Sequence, residues 1–101
     1  MSKYQLTDRV VVITGATGGL GSAVSRALRK KGARLALLDL DLAKAEALAR
    51  ELGGPNSAIA LQANVRSYED LTQAMQAAAD HFGGIDVVIA NAGIDHVSPM
   101  V

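Results

Sequence analysis

Residues 14–21 read TGATGGLG, and this stretch constrains the fold more than any other because of what flanks it. Before it, Val10–Thr14 is an unbroken β-branched run, the pattern of a strand covered on both faces rather than the alternation of a half-wet one. After it, residues 20–31 place Leu20, Val24, Ala27 and Leu28 at helical spacing with Arg26, Arg29 and Lys30 opposite. Gly32 supplies the stop behind a basic last turn. Inside the turn, Gly15 permits a sharp exit from the strand. Gly18 and Gly19 let backbone amides approach an anion, and Gly21 lets the helix pack closely on the sheet. A helix amino terminus behind such a turn offers unpaired N–H groups and partial positive charge, a cradle suited to a pyrophosphate. Thr17 and Leu20 fall within it and join the four glycines as candidate binding positions. An ordinary tight strand-to-helix turn uses glycine too, so the rest of the chain must decide.

The same reading continues down the chain as alternating strands and helices. Residues 35–38 form a second apolar strand ending at Asp39. Residues 42–52 carry a stripe of Leu42, Ala45, Leu48, Ala49 and Leu52, with Asp41 as the cap and Gly53-Gly54-Pro55 as the break. Residues 58–63 make the third strand. Ser67 with Asp70 starts a helix through Leu71, Met75, Ala78 and Phe82, halted by Gly83-Gly84, and residues 85–90 make the fourth strand. Short connections and right-handed crossovers then predict an α/β fold, a parallel sheet of strand order 3-2-1-4 with helices on both faces. At 101 residues the chain holds one unit, with no room for a second domain.

Composition removes several classes of function. Ten basic residues balance ten acidic ones, so no electrostatic surplus exists for nucleic acid or an anionic membrane; Arg29, Lys30 and Lys31 are expected to be a solvated helix end. The absence of cysteine excludes disulfides and thiolate ligands. No apolar run approaches the roughly 20 residues needed to span a bilayer, and the polar start lacks a signal-peptide core, so the expected location is cytoplasmic.

Asp39 gives the cradle a more specific meaning. It stands about 24 positions after Gly15, near the roughly 20 at which an acid receives the hydroxyls of an adenosine ribose. A carboxylate there repels a 2'-phosphate, and neither Ala16, Thr17 nor Leu40 supplies a cation, so NAD is expected over NADP. Asp39 or Asp41 could instead cap the following helix, a role that fits Asp41 better. Ligands of open parallel sheets bind outside the carboxyl ends of the strands. That adds Asn64 and Val65 after the third strand, and Asn91, Ala92 and Gly93 after the fourth. Asn91 can contact a cofactor or brace neighbouring strands through its amide.

Taken together, Thr14-Gly15-x-x-x-Gly19-x-Gly21, Asp39, Asn64-Val65 and Asn91-Ala92-Gly93 resemble the short-chain dehydrogenase/reductase family, over the whole chain. The glycines also satisfy Gly15-x-x-Gly18-x-x-Gly21, the turn of extended, epimerase-like members. Residues 85–93 resemble the Asn-Asn-Ala-Gly segment of the oxidoreductase branch, with Ala90 in place of its first Asn, while Asn64 departs from that branch's usual Asp. The resemblance implies a Rossmann-type domain and hydride exchange between a nicotinamide and an alcohol or carbonyl. It also implies a tyrosine acid or base, a lysine four residues later and a serine. Tyr4 and Tyr68 are followed at that distance by Asp8 and Thr72, and Ser98 precedes the family's serine position. No catalytic residue is therefore expected, and His81 and His96 have no metal-ligand spacing.

The chain thus reads as residues 1–101 of an NAD(P)-binding domain incomplete at its carboxyl end. On that reading it is inactive by itself, meets its small-molecule substrate only in a complete chain, and self-associates through an exposed fourth strand. A non-catalytic dinucleotide-sensing module is the alternative. A methyltransferase of the same sheet class shares the glycine turn and the acid, but not the Thr14-Gly15-x-x-x-Gly19 spacing or Asn91-Ala92-Gly93.

Overall fold

The structure, a computed structural model, describes residues 5–91. Its elements follow the order β1 (Val10–Thr14), α1 (Gly19–Lys30), β2 (Arg34–Asp39), α2 (Leu42–Glu51), β3 (Ala58–Gln62), α3 (Tyr68–Phe82) and β4 (Val87–Ala90). The four strands pair in parallel in the order β3-β2-β1-β4. The expected strand order therefore holds. β1 lies between β2 and β4, and all five of its residues are buried, as its β-branched run requires.

Alternation along the central strands divides the core into two layers. Val11 and Ile13 of β1, with Leu35 and Leu37 of β2, pack beneath Val24 and Leu28 of α1, Leu48 and Ala49 of α2 and Leu52, the residue that caps α2. Val12, Ala36 and Leu38 point the other way, beneath Leu71, Ala74, Met75, Ala78 and Phe82 of α3. One strand covers two faces, so no position of β1 can be polar without a partner. Thr14, its last residue, is the point where the strand turns toward the site.

Two sequence expectations about α1 are corrected. Its inward face runs through Gly21, Val24, Ser25 and Leu28, whereas Leu20 is 56% exposed and Ala27 is also exposed. The close approach is centred on Gly21, so small residues occupy the contact and Leu20 is carried to the mouth of the turn. Ser25 tolerates full burial because its hydroxyl donates to the Gly21 carbonyl at 2.7 Å. Arg29 is likewise not simply solvated. It is partly buried and donates to the carbonyls of Leu52 at 3.1 Å and Ala33 at 2.8 Å, tying the end of α1 to the end of α2.

β4 is covered less than the other strands. Val87 is 41% and Val88 49% exposed, since α3 packs on β1, β2 and β3 and α1 on β1 and β2. On the α3 side an open apolar groove of about 480 Å³ is lined by Tyr68, Leu71, Met75 and Ile85, among others. Asp86 anchors the start of β4: its carboxylate accepts from the Val10 amide at 2.8 Å and its own amide donates to the Val10 carbonyl at 2.9 Å. Among the described residues, no helix is long and apolar enough to cross a membrane.

Candidate functional site

Parallel strands deliver their carboxyl ends to one edge of the sheet, and the hydrogen-bond ladder continues past those ends. The Ala16 amide donates to the Leu38 carbonyl at 3.3 Å, Ala63 to Asp39 at 3.1 Å, and Asn91 to Thr14 at 3.3 Å. The candidate positions after β1, β2, β3 and β4 are thereby stitched to their neighbours.

The glycines of the first turn have separable physical roles. Gly15 leaves β1 with φ of 62°, a left-handed conformation that side chains resist, and its carbonyl accepts from the Gly18 amide at 3.2 Å. A Cβ on Gly21 would stand 2.1 Å from the Gly15 carbonyl oxygen, so α1 can start this close to the turn only with glycine there. The Gly21 contact is with the turn itself, which sharpens the expected packing on the sheet. Gly19 differs from both: a Cβ on it would meet nothing within 4 Å, and its φ is not in the left-handed region. Among the described residues, nothing demands glycine at position 19. The space there faces outward, where a ligand would approach. α1 has Gly18 as its cap, with no side-chain capping bond and no acid in its first turn. Its leading N–H groups are left for an anion.

Asp39 ends β2 facing that turn. One carboxylate oxygen, Oδ2, accepts from the Thr17 amide at 3.0 Å and from the Thr17 hydroxyl at 2.7 Å, while Oδ1 accepts from the Asp41 amide at 3.0 Å. Burial alone would push this carboxyl up. The amide of Asp41, the hydroxyl and amide of Thr17 and, more weakly, the amide of Leu40 outweigh it, holding the group below its ordinary carboxylate value. Asp41, as the sequence suggests, is the cap of α2, accepting from the Lys44 amide at 3.1 Å.

The asparagines divide. Asn64 is exposed, and its Oδ1 accepts from the Arg66 amide at 2.9 Å, shaping the turn into α3. Its own amide donates to Asp70 at 3.0 Å. Val65 is partly buried beside it. The Asn91 backbone amide donates to the Thr14 hydroxyl at 3.0 Å, and its side-chain nitrogen is buried with no hydrogen-bond partner among the described residues. Bracing of the strand ends at this point therefore runs from the Asn91 backbone amide to Thr14 and does not use the Asn91 side-chain nitrogen. Ala92 and Gly93 lie outside the described residues, as do Tyr4, His96 and Ser98.

The sequence profile of the short chain dehydrogenases matches residues 9–101. The chain belongs to the short chain dehydrogenase family. It is 37% identical over 97 residues to the D-threitol dehydrogenase of Mycolicibacterium smegmatis, covering 95% of this chain and 37% of the relative. It is 35% identical over 94 residues to the bovine 15-hydroxyprostaglandin dehydrogenase [NAD(+)], covering 90% and 35% respectively. Its fold superposes with a TM-score of 0.77 on the 3-ketoacyl-(acyl-carrier-protein) reductase of Brucella melitensis complexed with NADH, at 35% identity. That match covers 82% of this chain and 33% of the reductase. The chain therefore spans about a third of the length of these relatives.

Within this member of the family, two features of the candidate site escape the motif reading. Thr17 counts there only as part of the glycine turn, whereas it is the principal partner of Asp39. The only sequence signal is a hydroxyl residue between Gly15 and Gly18, which does not reveal a partner 22 positions away. Thr17 also lines a groove between α1 and α2 with Ser22, Arg26, Lys44 and Glu51. Arg26 is held there by Glu51, with Nε to Oε2 at 2.6 Å, and Lys44 lies 4.0 Å from Asp41. Cations do approach the turn, which reading Ala16, Thr17 and Leu40 alone overlooks, but both are set against acids.

Proposed function

We propose that this chain is the cofactor-binding portion of an NAD-dependent oxidoreductase. The parent reaction would move hydride between a nicotinamide and an alcohol or carbonyl of a small molecule. The observation that carries the reading is the ionised, hydrogen-bonded carboxylate of Asp39 set beside the uncapped start of α1. The groups fit a dinucleotide. The amides of Gly19, Leu20 and Gly21 would receive the diphosphate, with the open space at Gly19 admitting it and the Gly18–Gly15 bond holding the turn beneath it. Asp39 would receive the adenosine ribose, and Asn64, Val65, Asn91, Ala92 and Gly93 would border the rest of the cofactor. The bound nicotinamide supplies the hydride chemistry, and no residue of this chain is assigned a catalytic role.

Preference for NAD follows from charge. A carboxylate that stays ionised accepts ribose hydroxyls and repels a 2'-phosphate, and Arg26 and Lys44 are each engaged by an acid. The bovine relative's NAD(+) designation and the NADH in the Brucella complex support the same choice. No nucleic-acid or membrane partner belongs to this reading, and its setting is the cytoplasm. Titration calorimetry tests it: NAD should bind at least tenfold more tightly than NADP, and Asp39→Ser should shrink that ratio toward one. Tighter binding of NADP than NAD, or binding of S-adenosylmethionine in preference to both, would overturn it.

A further inference from the structure

The environment of Asp39 poses a problem for the ligand assigned to it. An ionised carboxylate has about four acceptor positions. Three are filled from within the chain, by the Thr17 amide, the Thr17 hydroxyl and the Asp41 amide. The Leu40 amide leans on the same group. A ribose presents two adjacent hydroxyls, so both cannot donate to Asp39 unless one internal donor leaves.

Only one of those donors is able to leave without disturbing the fold. The Thr17 amide is fixed by the turn, whose Gly18 amide is bonded to Gly15 and whose Ala16 amide is bonded to Leu38. The Asp41 amide belongs to the cap residue of α2. The Thr17 hydroxyl is a rotor on a partly buried side chain, and the groove that Thr17 lines also holds Ser22, whose hydroxyl oxygen can accept from it. We propose that the Thr17 hydroxyl is a placeholder, occupying the position on Asp39 that one ribose hydroxyl takes and rotating away when the nucleotide arrives. The proposal rests on the reading of this turn as a dinucleotide site.

Two properties follow. Before binding, the placeholder keeps the acid satisfied and aimed at the turn, so the site needs no reorganisation of backbone. On binding, one O–H donor replaces another, so the displacing ribose hydroxyl adds little net affinity. A phosphate ester at that oxygen carries no proton to donate to Asp39 and cannot make the exchange at all. Thr17 is thus a positioning residue whose effect appears in how much each ribose hydroxyl contributes.

The test compares ADP, 2'-deoxy-ADP and 3'-deoxy-ADP binding to the unaltered chain, Thr17→Val and Thr17→Ser, by calorimetry. In the unaltered chain, and in Thr17→Ser, removing the displacing hydroxyl should weaken binding less than about threefold. In Thr17→Val the same removal should cost about tenfold, because that hydroxyl then fills a vacant position on a charged acceptor. Equal penalties in Thr17→Val and the unaltered chain would overturn the placeholder while leaving the dinucleotide reading intact. Absence of ADP binding to the unaltered chain would overturn that reading and the placeholder with it. Backbone amide NMR spectra that superpose for the three proteins would show that the fold is common to the comparison.

Discussion

Gly19 and Gly21 sit two residues apart, yet one is required by the protein and the other is not. Gly21→Ala forces a Cβ to 2.1 Å from the Gly15 carbonyl oxygen, so the turn or helix must shift. It should lower stability by about 1–3 kcal/mol, the usual cost of overpacking, and abolish nucleotide binding. Gly19→Ala meets open space, and alanine is the better helix former by about 1 kcal/mol. It should leave the melting temperature unchanged or slightly raised while weakening NAD binding at least tenfold, because the added methyl stands on the outward face of the cradle. Chemical denaturation paired with calorimetry separates the two; equal stability losses would show that the role assigned to Gly19 is mistaken. The motif already separates a sharp exit at Gly15, amide access at Gly18 and Gly19 and close packing at Gly21; what it does not reveal is that Gly21 is required by an oxygen six residues earlier in the chain.

At the scale of elements, the helix caps are where local sequence and structure agree most closely. Asp41 accepts from Lys44 and Ser67 from Asp70, each three residues on, as expected of N-caps. Asp41→Ala should cost about 1 kcal/mol of stability by denaturation. It should also loosen the backbone that presents an amide to Asp39, moving that residue's titration upward toward the ordinary carboxylate value as followed by NMR; an unmoved titration would exclude the coupling. Strand identity and order were legible because each strand is a dense apolar run and each connection is short. The inward face of α1 was less so. Its periodicity permits Leu20 and Ala27 to be inside, but the contact at Gly21 rotates the helix to bury Gly21 and Ser25, which hydropathy would not select. The Asp39–Thr17 pairing was illegible for another reason. It joins two turns that become neighbours only when β2 pairs with β1, in the register that sets Thr14 against Leu38.

For the molecule as a whole, the fourth strand is the element expected to govern solution behaviour. Val87 and Val88 present apolar side chains, and β4 carries no charge of its own to discourage pairing along its outer side. Sedimentation velocity should therefore show a mass that rises with concentration, and Val88→Lys should reduce it toward that of a monomer. A concentration-independent monomer in the unaltered chain would remove the prediction. The opposite character belongs to the carboxyl edge of the sheet, where Ala16 is bonded to Leu38, Ala63 to Asp39 and Asn91 to Thr14 beyond the ends of the strands themselves. Loops tied in this way have little conformational entropy left to lose. On the proposed reading, a nucleotide arriving at these described residues would meet a surface ordered in advance. Substitutions at this edge should accordingly be felt in how quickly the ligand departs, with its rate of arrival nearly constant.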